Sequence, residues 1–304
     1  VIGSPVTLAG EAGPDMESDR VSVVIVTFNN APMLANLLVD LSHQRRLPDE
    51  VIVIDNASRD DTQALVRGVY PEADLVRLGE NLGSAGGYHE GIRRAARSSD
   101  FIYTLDDDVR LNPDTLREIV AGFHDLEGAM PGQIAAVRSI GARYSETGPT
   151  PLEVVPWRGT LFKTAIVREV GLPSPDYFLY GEDLEYSLRI AQRGYRFYWI
   201  PTSRCLEAVR DRDGKARATL FGRRLVRYQS PFRLYYALRN EVSIFIRYGR
   251  RAALLRTFLY ALKILLMIGA SEGWTGKMPI RAVVLGVFDG IRGRMGRHPD
   301  YTPG

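Results

Sequence analysis

Three aspartates stand together where an apolar run ends, in "FIYTLDDDVRLNPDTL", residues 101 to 116. Like charges on adjacent positions repel, and aspartate is a poor strand residue. Asp106, Asp107 and Asp108 therefore need compensation from water or from a cation. Alternate strand residues share a side, so Asp106 and Asp108 can hold one divalent ion while Asp107 faces elsewhere. Hard carboxylate oxygens suit Mg²⁺ or Mn²⁺, which bind through one or two carboxylates plus substrate phosphate oxygens. A solvated loop running into a helix cap at Asn112 accommodates the same triplet without an ion.

A second acidic group opens "GEDLEYSLRIAQRGY". Leu184, Leu188 and Ala191 fall on one helical stripe, and Gly194 is placed to end the helix. Glu182, Asp183 and Glu185 crowd its first turn. Acids there complement the helix dipole, and one of them facing a crevice can equally serve as a general base. In "GENLGSAGGYHEG", Gly83, Gly86 and Gly87 ahead of a helix allow close backbone approach to a ligand, or simply a flexible turn. Trp157 and Gly159 in "PWRGTLFKTAIVREVG" read as core packing or as a stacking platform for a sugar ring.

The elements that must position these groups alternate. "VSVVIVTF" (21–28), "EVIVIDN", "DLVRL" and "FIYTL" are strand-like, the first a continuous β-branched run of the kind buried on both faces. Between them, Met33, Leu34, Leu37, Leu38 and Leu41 mark one helix face. "SRDD" resembles a capping box opening a helix at Thr62, and residues 85–98 form a third helix. Asn112 and Pro113 predict a helix start with Asn112 as N-cap. Such alternation implies βαβ units on a mostly parallel sheet, an α/β fold. Ligands in these sheets sit beyond the carboxyl ends of the strands. Thr27, Phe28, Asn30, Asp55, Asn56 and the aspartate triplet all fall there.

The 304 residues, 45% hydrophobic and 25% charged, exclude wholesale disorder. One cysteine, Cys205, excludes an internal disulfide and a thiolate cluster. Residues 1–20 are polar, acidic and rich in Gly and Pro, without the basic start and apolar run of a signal peptide. They are read as a disordered, tag-like segment. The absence of GxGxxG after the first strand argues against a dinucleotide-dependent oxidoreductase.

In order and spacing, "VSVVIVTFNN", "VIVIDNASRDDT", "NLGSAGG", "TLDDDV", "GTLFKTAIVREVG" and "GEDLEYSLRIAQRGYRFYWIP" resemble the family-2 glycosyltransferases of the GT-A fold, over about residues 21 to 201. The resemblance implies single-displacement, inverting transfer of a sugar from a nucleotide diphosphate donor. It implies Asp106 and Asp108 as holders of Mn²⁺ or Mg²⁺, with Asp106 and Asp107 on the donor. Thr27, Phe28, Asn30, Asp55, Asn56, Asn81, Gly86 and Gly87 match donor-side positions. Asp183, with Glu182, matches the base motif, and Trp157 and Gly159 match the acceptor-side segment. "NLGSAGGY" with "DDD" is most similar to the galactofuranosyltransferase branch, whose members carry Phe at Tyr88, with rhamnosyltransferases close by. UDP-galactofuranose is thus the expected donor, dTDP-rhamnose the alternative, and a glycan or lipid-linked glycan the acceptor. A nucleotide-sugar-binding protein without activity is the more distant alternative. Relatives place a metal-binding histidine after the strand that follows the base helix. Here that region reads "IPTSRCLEAVRD", where Glu207 can supply an oxygen instead.

The tail differs in charge. From Arg223 to Gly304 there are fifteen Lys and Arg against four acids. This sets a catalytic domain at 21–222 apart from a basic helical region at 223–304. "RAALLRTFLYALKILLMIGA" (251–270) is long and apolar, but a spanning helix would have to accommodate Arg256 and Lys263. An interfacial helix on an anionic membrane at the cytoplasmic face fits better. A packed helical subdomain, offering a homo-oligomer interface, is the alternative. No nucleic-acid-binding module is recognisable.

Overall fold

The computed structural model describes residues 18–141, 148–207, 216–220, 223–228, 230–272 and 277–301. The four apolar runs become β1 (Val21–Thr27), β2 (Glu50–Asp55), β3 (Asp74–Arg77) and β4 (Phe101–Asp106). They lie parallel in the order β3-β2-β1-β4. Helices α1 (Ala31–Ser42), α2 (Thr62–Val69) and α3 (Gly83–Ala95) make the crossovers. Alternation along β1 feeds two cores: Val21, Val23 and Ile25 pack with the α1 leucines, while Val24 packs with Tyr88 and Ile92 of α3. That two-sided burial is why the strand is apolar throughout.

Helix α3 lies unusually close to the sheet. A Cβ on Gly91 would stand 2.3 Å from Val24 Cγ1, and one on Gly87 2.5 Å from Val26 Cγ1. These glycines serve packing, and Gly86 and Gly87 lie inside the helix rather than ahead of it. Two further starts differ from expectation. Helix α4 (Thr115–Ala129) has Asp114 as its N-cap residue, two positions beyond Asn112, whose carbonyl accepts from the Thr115 N–H and from Gln44 Nε2 in the turn before the helix. The "SRDD" side chains cross to the β1–α1 turn: Ser58 Oγ accepts from the Asn29 N–H, and Asp60 from the Ala31 N–H.

Beyond β4 the sheet becomes mixed. Strands β5 (Val109–Leu111), β6 (Ile134–Ile140), β7 (Thr150–Leu152), β8 (Thr160–Lys163) and β9 (Arg196–Glu207) complete nine strands. The order continues β8-β6-β9-β5, with β8 antiparallel to β4 and β7 on β9. Helices α5 (Thr164–Val170) and α6 (Glu182–Ala191) fall between β8 and β9 in sequence.

The chain divides into two compact units, Val1–Ser174 with Asp183–Val209, and Pro175–Glu182 with Arg210–Gly304. Eight residues from the middle of the chain, 175–182, thus go to the second unit. Helix α7 (Pro231–Arg247) explains why. Asn240 Nδ2 donates to the carbonyls of Tyr177, Leu179 and Tyr180 at 3.0, 2.9 and 2.6 Å, and Arg239 Nη2 donates to Tyr177 at 2.8 Å. These bonds hold backbone with positive φ at Phe178, Tyr180 and Gly181, which ordinary side chains resist. Helices α8 (Arg251–Glu272) and α9 (Lys277–Arg292) share a core with α7 built on Leu234, Leu238, Ile264, Ile268 and Val283. A hairpin of β10 (Ala216–Leu220) and β11 (Arg223–Tyr228) precedes α7.

Candidate active site

Register brings the polar strand ends together. Thr27 pairs with Asp55, and Val26 with Asp106. Each triplet carboxylate has its own environment. Tyr88, fully buried in α3, donates its hydroxyl to Asp106 Oδ1 (2.8 Å) and toward the Leu105 carbonyl (2.9 Å). Asp107 accepts from Thr27 Oγ1 at 2.7 Å and from Asn30 Nδ2 at 2.6 Å. The middle aspartate, expected to face away, is therefore the one that ties β4 to the end of β1. Asp108 is half-buried at the turn into β5.

Asp183, in the first turn of α6, is within electrostatic reach of Asp106. Burial raises its carboxyl above the ordinary value; the Leu184 N–H works against that rise, the Asp106 charge adds to it, and Arg138 lowers it. A carboxyl held above its ordinary value by burial and by a neighbouring carboxylate is of the kind that general-base chemistry uses. Arg138, on β6, is a participant that sequence reading missed, since nothing in "IAAVRSI" indicates where its side chain lies. Glu182 precedes Asp183 and is buried.

Asp55 is completely buried. Its Oδ1 accepts from the Ser58 N–H at 2.8 Å, while Oδ2 has no hydrogen-bond partner among the described residues. An orphaned buried carboxylate oxygen is costly, and a ligand N–H or O–H reaching it would remove that cost. Asn56 spends both ends of its amide on the start of α3, donating to the Gly83 carbonyl and accepting from the Leu82 N–H. Asn81 Oδ1 accepts from the Gly83 N–H. Both shape the turn that opens α3, the helix on which Tyr88 sits. Phe28 is half-buried in the same β1–α1 turn.

The acceptor-side expectation for Trp157 needs correction. Its ring is 4% exposed, stacked on Tyr88 at 4.9 Å and flanked by Tyr186 and Phe162 at 5.7 and 5.8 Å. No face is left for a sugar, and the indole instead backs the tyrosine that holds Asp106. Its Nε1 is buried without a partner among the described residues. Gly159 has φ +73° and spends its N–H on the Thr104 carbonyl and its carbonyl on the Ser139 N–H, so its bend is also internal.

Among the described residues no three His, Cys, Asp or Glu side chains gather closely enough to bind a metal ion alone. Hard carboxylates at the triplet nevertheless fit Mg²⁺ or Mn²⁺ in the mode that draws its remaining ligands from phosphate and water. The Glu207 side chain lies outside the described residues. Its backbone pairs with Val109, next to Asp108.

Residues 22–177 match the model of glycosyl transferase family 2, and residues 101–275 that of glycosyl transferase family group 2. Galactofuranosyltransferase GlfT1 of Mycobacterium tuberculosis is 25% identical over 270 residues, 80% of this chain and 87% of that protein. Poly-beta-1,6-N-acetyl-D-glucosamine synthase of Staphylococcus aureus is 26% identical over 63% of this chain and 51% of its own length. The structure resembles mannosyltransferase PcManGT from Pyrobaculum calidifontis, solved with GDP-Man and Mn²⁺. There the TM-score is 0.57 and the identity 18%, over 91% of this chain and 88% of that one.

Proposed function

Because the chain belongs to glycosyltransferase family 2 and is a nucleotide-sugar-dependent glycosyltransferase of GT-A fold, we propose that it transfers galactofuranose from UDP-galactofuranose, with inversion, to a hydroxyl of a glycan or lipid-linked glycan. The observation that carries the mechanism is the Asp183 carboxyl in the first turn of α6, held high by burial and in part by the charge of Asp106, which Tyr88 fixes at the end of β4. Asp183 takes the acceptor hydroxyl proton as that oxygen bonds to the anomeric carbon and the bond from that carbon to the diphosphate breaks. Asp55 offers its unsatisfied oxygen to the nucleoside. Asp106 and Asp108, with Glu207 as a further oxygen donor, would hold Mn²⁺ or Mg²⁺, which supplies positive charge to the departing diphosphate. Similarity to the mycobacterial galactofuranosyltransferase over four-fifths of the chain supports the choice of donor sugar.

A screen of UDP- and dTDP-sugars, with and without Mn²⁺, tests this reading. Metal-dependent turnover of UDP-galactofuranose is expected. Turnover of dTDP-rhamnose alone would overturn the donor, and full activity in chelator would overturn the metal. Asp183→Asn is expected to keep UDP binding while losing transfer at least about a hundredfold, the scale of a general base.

A further inference from the structure

Helix α8 buries one side and leaves an equally apolar side open. Thr257, Ala261, Ile264 and Ile268 are buried. Two positions back from each, about 200° around the helix, stand Leu255, Leu259, Leu262 and Leu266, exposed by 59, 56, 52 and 61%. A charged helix surface is the norm on the solvent side, and four leucines in one row break it. Helix α9 repeats the pattern with exposed Val284, Phe288 and Ile291, and the Arg292 guanidinium lies 3.8 Å from the Phe288 ring centroid.

Charge decides what covers this face. From Val242 to Ser271 the chain has no acid, whereas Arg247, Arg250, Arg251, Arg256 and Lys263 are all exposed. Arg256 and Lys263, beside the leucines, make no ion pair among the described residues. A second copy packed along the stripe would meet like charges with no acid in reach along it. Anionic headgroups would meet the basic flank while the leucines enter the acyl boundary. By length and composition Arg251–Gly269 is apolar enough to cross a membrane. Its packed side, shared with α7 and α9, favours an orientation in the membrane plane.

We propose that the outer face of α8, continued by the exposed residues of α9, is a docking surface for an anionic lipid bilayer. The test is co-sedimentation of the full chain with vesicles of phosphatidylcholine, alone or with phosphatidylglycerol. Binding is expected on the anionic vesicles, falling with salt and released by alkaline carbonate. Leu259→Ser with Leu262→Ser is expected to lower the partition coefficient at least about tenfold. Arg256→Gln and Lys263→Gln should each lower it about fivefold on anionic vesicles only. All these positions are exposed, and far-ultraviolet circular dichroism with UDP binding checks that the variants stay folded. Undiminished binding by the leucine variant overturns the proposal, as does failure of the full chain to bind. Dimers in sedimentation velocity that the leucine variant turns into monomers would assign the face to self-association. Retention after carbonate would assign α8 to a spanning helix.

Discussion

The Thr27–Asp107 hydrogen bond carries a prediction that can be worked through in energy. Thr27 is 1% exposed, and its hydroxyl reaches the carboxylate at 2.7 Å. A hydrogen bond to a charged acceptor contributes about 1.5–3 kcal/mol. Asp107 is half-buried and keeps the Asn30 amide at 2.6 Å, so water and Asn30 take up part of any loss. The lower end of the range, about 1.5 kcal/mol, therefore applies. Thr27→Val preserves the shape of the buried side chain without its hydroxyl, and Asp107→Asn preserves shape without the charge. A double-mutant cycle on urea unfolding should give a coupling of about 1–1.5 kcal/mol. The bond also fixes the turn that presents Asp106 and Asp108, so kcat/KM of Thr27→Val for the donor should fall about tenfold, the equivalent of 1.4 kcal/mol. Coupling below about 0.3 kcal/mol, within the usual error of additivity, with both single variants folded, would refute the idea that Asp107 ties β4 to β1.

Two further predictions separate packing from chemistry. Gly91→Ala should destabilise by about 1–3 kcal/mol through overpacking against Val24 and Ile54. Gly68→Ala in α2, with nothing within 4 Å of the new methyl, should instead stabilise by about 0.5–1 kcal/mol; thermal melts of the two variants should move in opposite directions. Burial pushes the Cys205 thiol up to about 12, so almost no thiolate exists at pH 8. Iodoacetamide should leave it unmodified in native protein and alkylate it in urea, as read by intact mass; rapid native alkylation would contradict its burial.

The parallel half of the sheet was legible because its signal is local. The β-branched run of β1 and the acids ending β2 and β4 are adjacent in sequence, and the sheet rule converts strand ends into a crevice. The second half was not, since β8 runs antiparallel to β4 by a pairing between residues about sixty apart in the chain, which no local periodicity encodes. The role of Tyr88 was hidden for a related reason. On an apolar helix face Tyr and Phe look alike, and the hydroxyl reaches Asp106 only because Gly87 and Gly91 let α3 settle against β1. Trp157 misled because a Trp beside a glycine bend suggests an open platform, whereas this bend is hydrogen-bonded into the interior. Asp183 was legible as an acid at a helix start, but not its pairing with Asp106, which needs two elements from distant parts of the chain.

The loan of residues 175–182 to the second unit means that the chain passes between the units three times. No single cut therefore yields both parts whole. A fragment ending near Val209 would carry Phe178, Tyr180 and Gly181 in left-handed backbone without the Asn240 amide that braces them, immediately before Asp183. Heredity inherits the same constraint as the protein engineer: exchanging the tail for that of a relative replaces the brace of the segment leading to Asp183, so tail and segment are bound to change together.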